Sequence, residues 1–170
     1  MGGGALPLVI TAERRGVAAY ALRPMRLADL GAVVRLEESW AARPWSLATF
    51  RKELGARFSR ACVLHPARAP HVVAGYRICS LVAGAMDLLS LAVCPRERRR
   101  GLGGFMLDHL VREASRGCAE SITLEVAVSN VAARRLYSTR GFGEVRVRKG
   151  YYGAGRDAVV MERRLGRAVS

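Results

Sequence analysis

The chain has 170 residues, 51% of them hydrophobic and 25% charged, a composition that is typical of a globular protein and excludes a disordered or fibrous one. No apolar run approaches the roughly 20 residues needed to span a bilayer, so we expect a cytoplasmic protein with no membrane association. The net charge of +14 has two interpretations, proximity to a polyanion such as the ribosome or RNA, and a compositional bias toward arginine.

The N-terminal half is predicted to begin with a strand and two helices. Residues 1–17 are Gly-rich and weakly patterned, so we expect a flexible leader before a domain spanning 18–170. A strand at 20–22 precedes a helix at about 27–40, because apolar residues recur there at helical spacing. Ser46 is suited to cap a second helix. Three strands are predicted next, at 61–64, 72–79 and 86–93, and the last is largely apolar, as expected for a strand buried on both faces.

An arginine cluster and a glycine turn, Arg98-x-x-Gly101-x-Gly103, follow this last strand. Glycine lets the backbone approach an anion closely, and the first turn of a helix presents unpaired N–H groups at the positive end of its dipole. The arginines add positive charge. The pattern therefore indicates a pyrophosphate cradle, and the alternative is a basic strand-to-helix connection without a ligand.

The C-terminal half continues with a helix, a strand, another helix and two strands. The helix after the glycine turn is amphipathic and is predicted to stop at Gly117. Apolar residues alternate at 122–128, which places Glu125 on the opposite face of that strand. Asn130 is suited to cap the following helix. Final strands are predicted at 144–148 and 158–164, and the element order predicts an α/β layered sheet with mixed strand directions.

Several short motifs accompany the glycine turn: Pro44-Trp45-Ser46, Leu91-Ala92-Val93, Leu124-Glu125-Val126, Ser129-Asn130, Leu136-Tyr137, Gly141-Phe142 and Tyr151-Tyr152. On these motifs, over about residues 22–165, the chain resembles the GCN5-related N-acetyltransferase (GNAT) family. Within that family it is most similar to the RimI-type group, which acetylates the N-terminal alanine of a ribosomal protein. It departs from the usual pattern at Ala127, where arginine is usual, at Gly104, where a basic residue is common, and in a shorter, less acidic loop at 153–156.

The resemblance implies a GNAT fold, with a mixed central sheet, splayed parallel strands and helices on both faces. Acetyl-CoA would lie between the strands at 88–93 and 122–128, its pantetheine paired with exposed backbone and its pyrophosphate on the glycine turn. No metal is expected, because the three histidines show no ligand spacing. For Asn130, a simple N-cap is the alternative. The implied cofactor residues are Leu91, Ala92, Val93, Arg98, Arg99, Arg100, Gly101, Leu102, Gly103, Gly104 and Asn130.

The resemblance also implies the catalytic residues. An α-amine with a pKa of about 7.7–8.0 is mostly protonated at neutral pH, yet acetyl transfer needs the neutral amine. Glu125 would remove that proton, directly or through water, and Tyr137 would protonate the departing coenzyme A thiolate. Trp45, Tyr151 and Tyr152 would flank the acceptor entrance. Without the motifs, Glu125 would be a solvated carboxylate and the aromatic residues would be core or hairpin packing.

We therefore predict an acetyl-CoA-dependent N-α-acetyltransferase that acts on the N-terminal alanine of the eighteenth small-subunit ribosomal protein, by direct transfer in a ternary complex. The alternatives are a small-amine or lysine acetyltransferase of the same fold and a non-enzymatic, ribosome-associated module that binds acyl-CoA. The net charge would repel a basic ribosomal tail unless Glu37, Glu38 or Glu125 makes the groove locally acidic.

Overall fold

The computed structural model describes residues 19–166, and within them the order of helices and strands is the predicted one. The predicted leader lies outside the described residues. The strands are β1 (Tyr20–Pro24), β2 (Ser59–Pro66), β3 (Gly75–Val82), β4 (Ala85–Val93), β5 (Ser121–Ala127), β6 (Gly143–Arg148) and β7 (Ala158–Arg164). The helices are α1 (Leu30–Glu38), α2 (Leu47–Gly55), α3 (Leu102–Arg116) and α4 (Val131–Ser138).

The strands of this part of the chain form one seven-stranded sheet in the order β1-β2-β3-β4-β5-β7-β6. β4 and β5 are parallel, with residues 85–88 paired to 121–124, whereas β5 and β6 both pair antiparallel with β7. A parallel pair needs a crossover connection, and α3 lies in the chain between these two strands. The prediction of an α/β fold with a mixed sheet is confirmed.

The described residues divide into two compact units. The first contains the residues up to Ile78 together with Ser90–Leu102, and the second contains Cys79–Leu89 together with the residues from Gly103 onward. The first unit has a hydrophobic cluster made by Met25, Leu30, Val33, Leu36, Phe50, Val63, Tyr76, Ile78 and Ala92. In the second unit the buried residues include Met106, Leu107, Leu110, Ile122, Leu124, Val126, Val159 and Met161.

Two sequence-based expectations about single elements are wrong. The first helix does not run over 27–40, because a 3-10 turn at Leu27–Asp29 precedes α1, which ends at Glu38. β4 is not buried on both faces, since its residues alternate between buried and exposed from Ala85 to Ser90. Because other residues cover only one face of β4, the prediction from its apolar composition overestimated its burial.

The N-terminal end of α1 is held by an ion pair that also predicts a pH dependence of stability. Two guanidinium N–H groups of Arg23 donate to the two carboxylate oxygens of the buried Asp29, each at 2.7 Å, and the Arg26 N–H donates to Oδ2 at 2.8 Å. The Arg23 hydrogen bonds hold the pKa of Asp29 below its ordinary value. The carboxylate therefore stabilises the fold at neutral pH, and this contribution is lost as the pH falls through the lowered pKa.

We expect Asp29→Asn to lower the free energy of unfolding by about 1.5–3 kcal/mol at pH 7, the range for a hydrogen bond to a charged group. Urea unfolding at several pH values would measure it. The difference from wild type should shrink toward acidic pH, and a difference that is constant over pH would contradict the role of the ion pair.

Candidate active site

The glycine turn enters α3 through two residues in the left-handed region of the backbone. Arg99 has φ 61° and Gly101 has φ 77°. Glycine adopts this conformation readily, whereas a residue with a side chain adopts it uncommonly. The sequence predicted a glycine turn here for close approach to an anion, and the left-handed backbone at Gly101 and Arg99 was not predicted.

Two arginines of the turn, Arg98 and Arg100, form hydrogen bonds with other residues of the chain. The Arg98 side chain donates through Nε to the carbonyl of Val93, at 3.1 Å. Arg100 donates to Glu97 at 2.8 Å and to the Tyr20 hydroxyl at 3.3 Å, and that hydroxyl also donates to Glu97. Burial, followed by the contact with Glu97, raises the pKa of Tyr20. Glu97 therefore partly balances the charge of Arg100.

Gly103 and Gly104 lie at the start of α3, close to α4 and to the residues that follow it. A Cβ at Gly103 would lie 3.1 Å from Leu136, and one at Gly104 would lie 1.8 Å from the guanidinium of Arg140. Arg140 donates to the Gly104 carbonyl at 3.3 Å and forms an ion pair with Asp108 at 3.3 Å. The Arg140 guanidinium therefore occupies the space that a side chain at position 104 would fill. Arg140 was not predicted from the sequence, where its signal is glycine at position 104, a position at which a basic residue is common in the family.

The segment Leu91-Ala92-Val93 ends β4, with Ala92 buried and its two neighbours half-buried. A Cβ at Gly75 would lie 2.7 Å from the carbonyl oxygen of Ala92. Only glycine at position 75 thus permits this close approach of β3 to β4. Just beyond the segment, the Cys94 N–H donates to the carbonyl of Ala74 at 2.8 Å.

Glu125 lies on the half-buried face of β5, as its alternation predicted, and both of its carboxylate oxygens accept hydrogen bonds. Arg148 forms an ion pair with Oε1, and the Tyr151 hydroxyl donates to Oε2 at 2.6 Å. The Arg148 guanidinium also lies 4.3 Å above the Tyr151 ring, a cation–π contact. The hydrogen bond to Glu125, followed by burial, raises the pKa of Tyr151 to about 12. These contacts fix the orientation of the carboxylate.

The second catalytic residue predicted from the resemblance, Tyr137, lies on α4 and is 9% exposed. Its ring packs against Phe142 with the ring centroids 6.0 Å apart. Burial, and then the proximity of Tyr152, raises the pKa of Tyr137 to about 12, so it holds its proton at neutral pH. Tyr152 also donates to the backbone carbonyl of Glu125 at 3.4 Å. The second unit thus brings together Glu125, Tyr137, Tyr151 and Tyr152.

Asn130 is the N-cap of α4, where its side-chain oxygen accepts the Ala133 N–H at 3.1 Å. The side chain is exposed. The N-cap that the sequence predicted is confirmed. A contact of Asn130 with a cofactor stays a prediction.

Trp45 lies just before α2 in the first unit. Its half-buried ring packs against Phe50 with the centroids 5.4 Å apart, and its backbone N–H donates to Glu37 at 3.2 Å. Glu37 is 3% exposed, so it presents no carboxylate to a groove. Of the three residues that could make the groove acidic, Glu37 is therefore excluded because its side chain is buried, and Glu38 and Glu125 stay predictions.

Residues 19–166 contain no group of three His, Cys, Asp or Glu side chains that could hold a metal ion. Cys62 and Cys79 are buried, whereas Cys94 is half-buried and Cys118 is exposed. In the same part of the chain, every helix is too short or too polar to cross a membrane. The absence of a metal stays a prediction.

Comparison with known proteins identifies the family of the chain. The sequence profile of the acetyltransferase (GNAT) family matches residues 30–142. The [ribosomal protein bS18]-alanine N-acetyltransferase of Escherichia coli K12 is 35% identical over 136 residues, which cover 78% of this chain and 89% of that protein.

Two solved structures extend the comparison. The crystal structure of the ribosomal-protein-S18-alanine N-acetyltransferase from Escherichia coli matches with a TM-score of 0.78 and 29% identity, over 89% of this chain and 99% of that one. Arabidopsis thaliana NAA60 in complex with acetyl-CoA matches with a TM-score of 0.77, over 86% of this chain and 98% of that one, and at 18% identity it bears on the fold alone.

Proposed function

Because the chain belongs to the GNAT family of acetyltransferases, we propose that it transfers the acetyl group of acetyl-CoA to the N-terminal alanine of the ribosomal protein bS18. The chain is an N-acetyltransferase, and the identity to the bS18-alanine enzymes supports a protein N-terminus as the acceptor. The observation that carries the proposal is the convergence of Glu125, Tyr137, Tyr151 and Tyr152, which joins a carboxylate, a protonated hydroxyl and an aromatic pair.

The residues of the glycine turn fit the pyrophosphate of acetyl-CoA. Gly101 takes the left-handed backbone that a tight turn before a helix requires, and its Cβ position faces open space. Arg140 adds a guanidinium at Gly104, in the first turn of α3. We assign the pyrophosphate to the backbone N–H groups of residues 99–104.

We assign the pantetheine of acetyl-CoA to the backbone of Leu91-Ala92-Val93. The parallel register of β4 and β5 ends at Leu88 and Leu124, while the two strands continue to Val93 and Ala127. Backbone groups beyond a paired register need hydrogen-bond partners, which an extended ligand supplies. We assign Asn130 to the cofactor as well, through the amide nitrogen that its N-cap bond does not use.

When bound, acetyl-CoA supplies the thioester carbonyl that the acceptor amine attacks, so transfer is direct in a ternary complex. Glu125 takes the proton of the α-ammonium group, directly or through water. Each of its oxygens already accepts one hydrogen bond, from Arg148 and from Tyr151, and each keeps a further lone pair for the amine or for a water. Tyr137 holds its proton at neutral pH and donates it to the departing sulfur.

The net charge of +14 supports a place of action near a polyanion, and we include the ribosome in the proposal on this ground. Binding of a basic acceptor tail would depend on the charges near the site rather than on the net charge of the protein, because salt screens charge interactions beyond about 8 Å under physiological conditions. Near Glu125 the local charge includes Asp87, whose pKa is raised by burial and then by the charge of Glu125.

A competition assay tests the acceptor. We expect a peptide that begins with alanine to be acetylated in preference to the same peptide blocked at its N-terminus but bearing a lysine, and in preference to a free polyamine. A leucine-initiated peptide should show a kcat/KM lower by about 10–200-fold, the range by which a size-limited site discriminates added methylenes. Mass spectrometry would locate the acetyl group. Preferential acetylation of the lysine or of the polyamine would overturn the proposal.

A further inference from the structure

A buried carboxylate in the first unit takes no part in the mechanism above. Glu37, in the last turn of α1, is 3% exposed, and Tyr76 and Ser90 beside it are also buried. The Tyr76 hydroxyl donates to Oε2 of Glu37, and the Trp45 backbone N–H donates to Oε1 at 3.2 Å. The same hydroxyl lies 3.0 Å from the Ser90 hydroxyl on β4. Both oxygens of Glu37 are therefore engaged.

These contacts fix the turn before α2 in two ways. The Trp45 backbone is held by its hydrogen bond to Glu37, and the Trp45 ring is held by packing. Phe50 lies between the rings of Trp45 and Tyr76, at centroid distances of 5.4 and 5.5 Å. The carboxylate and the aromatic stack thus restrain the same residue.

The stability of the hydrophobic cluster does not require a carboxylate at this place. Removing a carboxylate from water has a free-energy cost of several kcal/mol, and an apolar side chain would fill the same space without it. The carboxylate instead fixes the orientation of its partners, because it accepts one hydrogen bond from the Tyr76 hydroxyl on β3 and one from the Trp45 backbone N–H.

We propose that Glu37 is a positioning residue, which holds Trp45 in place as part of the wall that contacts the acceptor peptide. The inference rests on the proposed function and on the sequence-based expectation that Trp45 flanks the acceptor entrance. Ser90 connects the same network to β4, immediately before the segment assigned to the cofactor backbone.

Glu37→Met removes both acceptor oxygens and keeps an apolar side chain of similar length. We expect the KM for an alanine-initiated peptide to rise about tenfold, since a lost positioning hydrogen bond weakens acceptor binding, and the KM for acetyl-CoA to stay within about twofold. Glu37→Gln keeps an oxygen for the Trp45 N–H, so its acceptor KM should stay close to that of the wild type.

The control is Asp29→Asn, which breaks a buried ion pair in the same unit and should lower stability without changing the acceptor KM. A double-mutant cycle of Glu37→Met with Trp45→Ala should be clearly non-additive, because Glu37 acts through Trp45. Additive effects, or equal rises in the KM values of both substrates, would overturn the positioning role.

Hydrogen exchange at the Trp45 amide gives a readout that does not depend on activity. Exchange should be slow in the wild type and in Glu37→Gln, and faster by about tenfold or more in Glu37→Met. If the wild type acetylates no N-terminal peptide, the proposed function fails and the acceptor role of Trp45 fails with it. Unchanged exchange in Glu37→Met would show separately that Glu37 does not hold the turn.

Tyr76→Phe covers the case in which Glu37→Met does not fold. It removes only the hydroxyl that orients Glu37, and no rise in its acceptor KM would overturn the proposal.

Discussion

Replacing Glu125 by glutamine should lower kcat by about 100-fold or more, the loss typical of a missing general base. Glutamine keeps the volume of the side chain, but it cannot accept the proton of the acceptor amine. Affinity for acetyl-CoA should change little, because the carboxylate is assigned to the acceptor side. Steady-state kinetics and calorimetric titration with acetyl-CoA would separate the two effects. The acidic limb of the pH–rate profile should disappear.

Glu144→Gln is the matched control for this experiment. Glu144 is an arginine-paired carboxylate in the same unit, 2.6 Å from Arg134, and it has no role in the proposed mechanism. Glu144→Gln makes the same chemical change as Glu125→Gln and should leave kcat unaltered. Tyr137→Phe should also slow turnover, through loss of the proton donor. If Glu125→Gln and Tyr137→Phe both turn over normally, positioning alone accounts for catalysis and the assignment of base and acid is wrong.

Gly101→Val should abolish measurable binding of acetyl-CoA while the protein still folds. A Cβ at this position meets no atom within 4 Å, so the effect comes from the backbone, whose φ of 77° is unfavourable for a β-branched residue. Relaxation of φ would turn the N–H groups of the turn away from the pyrophosphate. Calorimetric titration would measure the affinity, and thermal unfolding would show that the fold is retained.

Gly55→Val is the control, because a Cβ there also meets open space and its φ lies outside the left-handed region. Its cofactor affinity should match that of the wild type. Gly103 gives a less selective test, since a side chain would crowd Leu136 at 3.1 Å and disturb the packing of α3. Unchanged affinity in Gly101→Val would show that the glycine turn does not bind the cofactor.

Much of the site could be predicted from the sequence because its signals are local. The alternation that places Glu125 opposite a buried stripe, the N-cap at Asn130 and the glycine turn each depend on residues close together in the chain. The motif spacings placed Tyr137 and the tyrosine pair in one family pattern. In the structure Tyr151 and Tyr152 contact Glu125, and Tyr137 lies near Tyr152. Assignment of their roles remains a proposal.

The sequence by itself determined the order of the elements, the mixed α/β class and a glycine turn before α3, since periodicity, capping and turn composition are properties of short segments. Only the tertiary structure decided which distant side chains meet. Arg148 reaches Glu125 across 23 positions, and Arg140 reaches Gly104 across 36. Such pairs depend on strand register and helix packing, which no local pattern encodes. For the same reason the sequence offered Glu37 as an acidic group of the groove, whereas the packing of α1 against β3 makes it a buried hydrogen-bond acceptor.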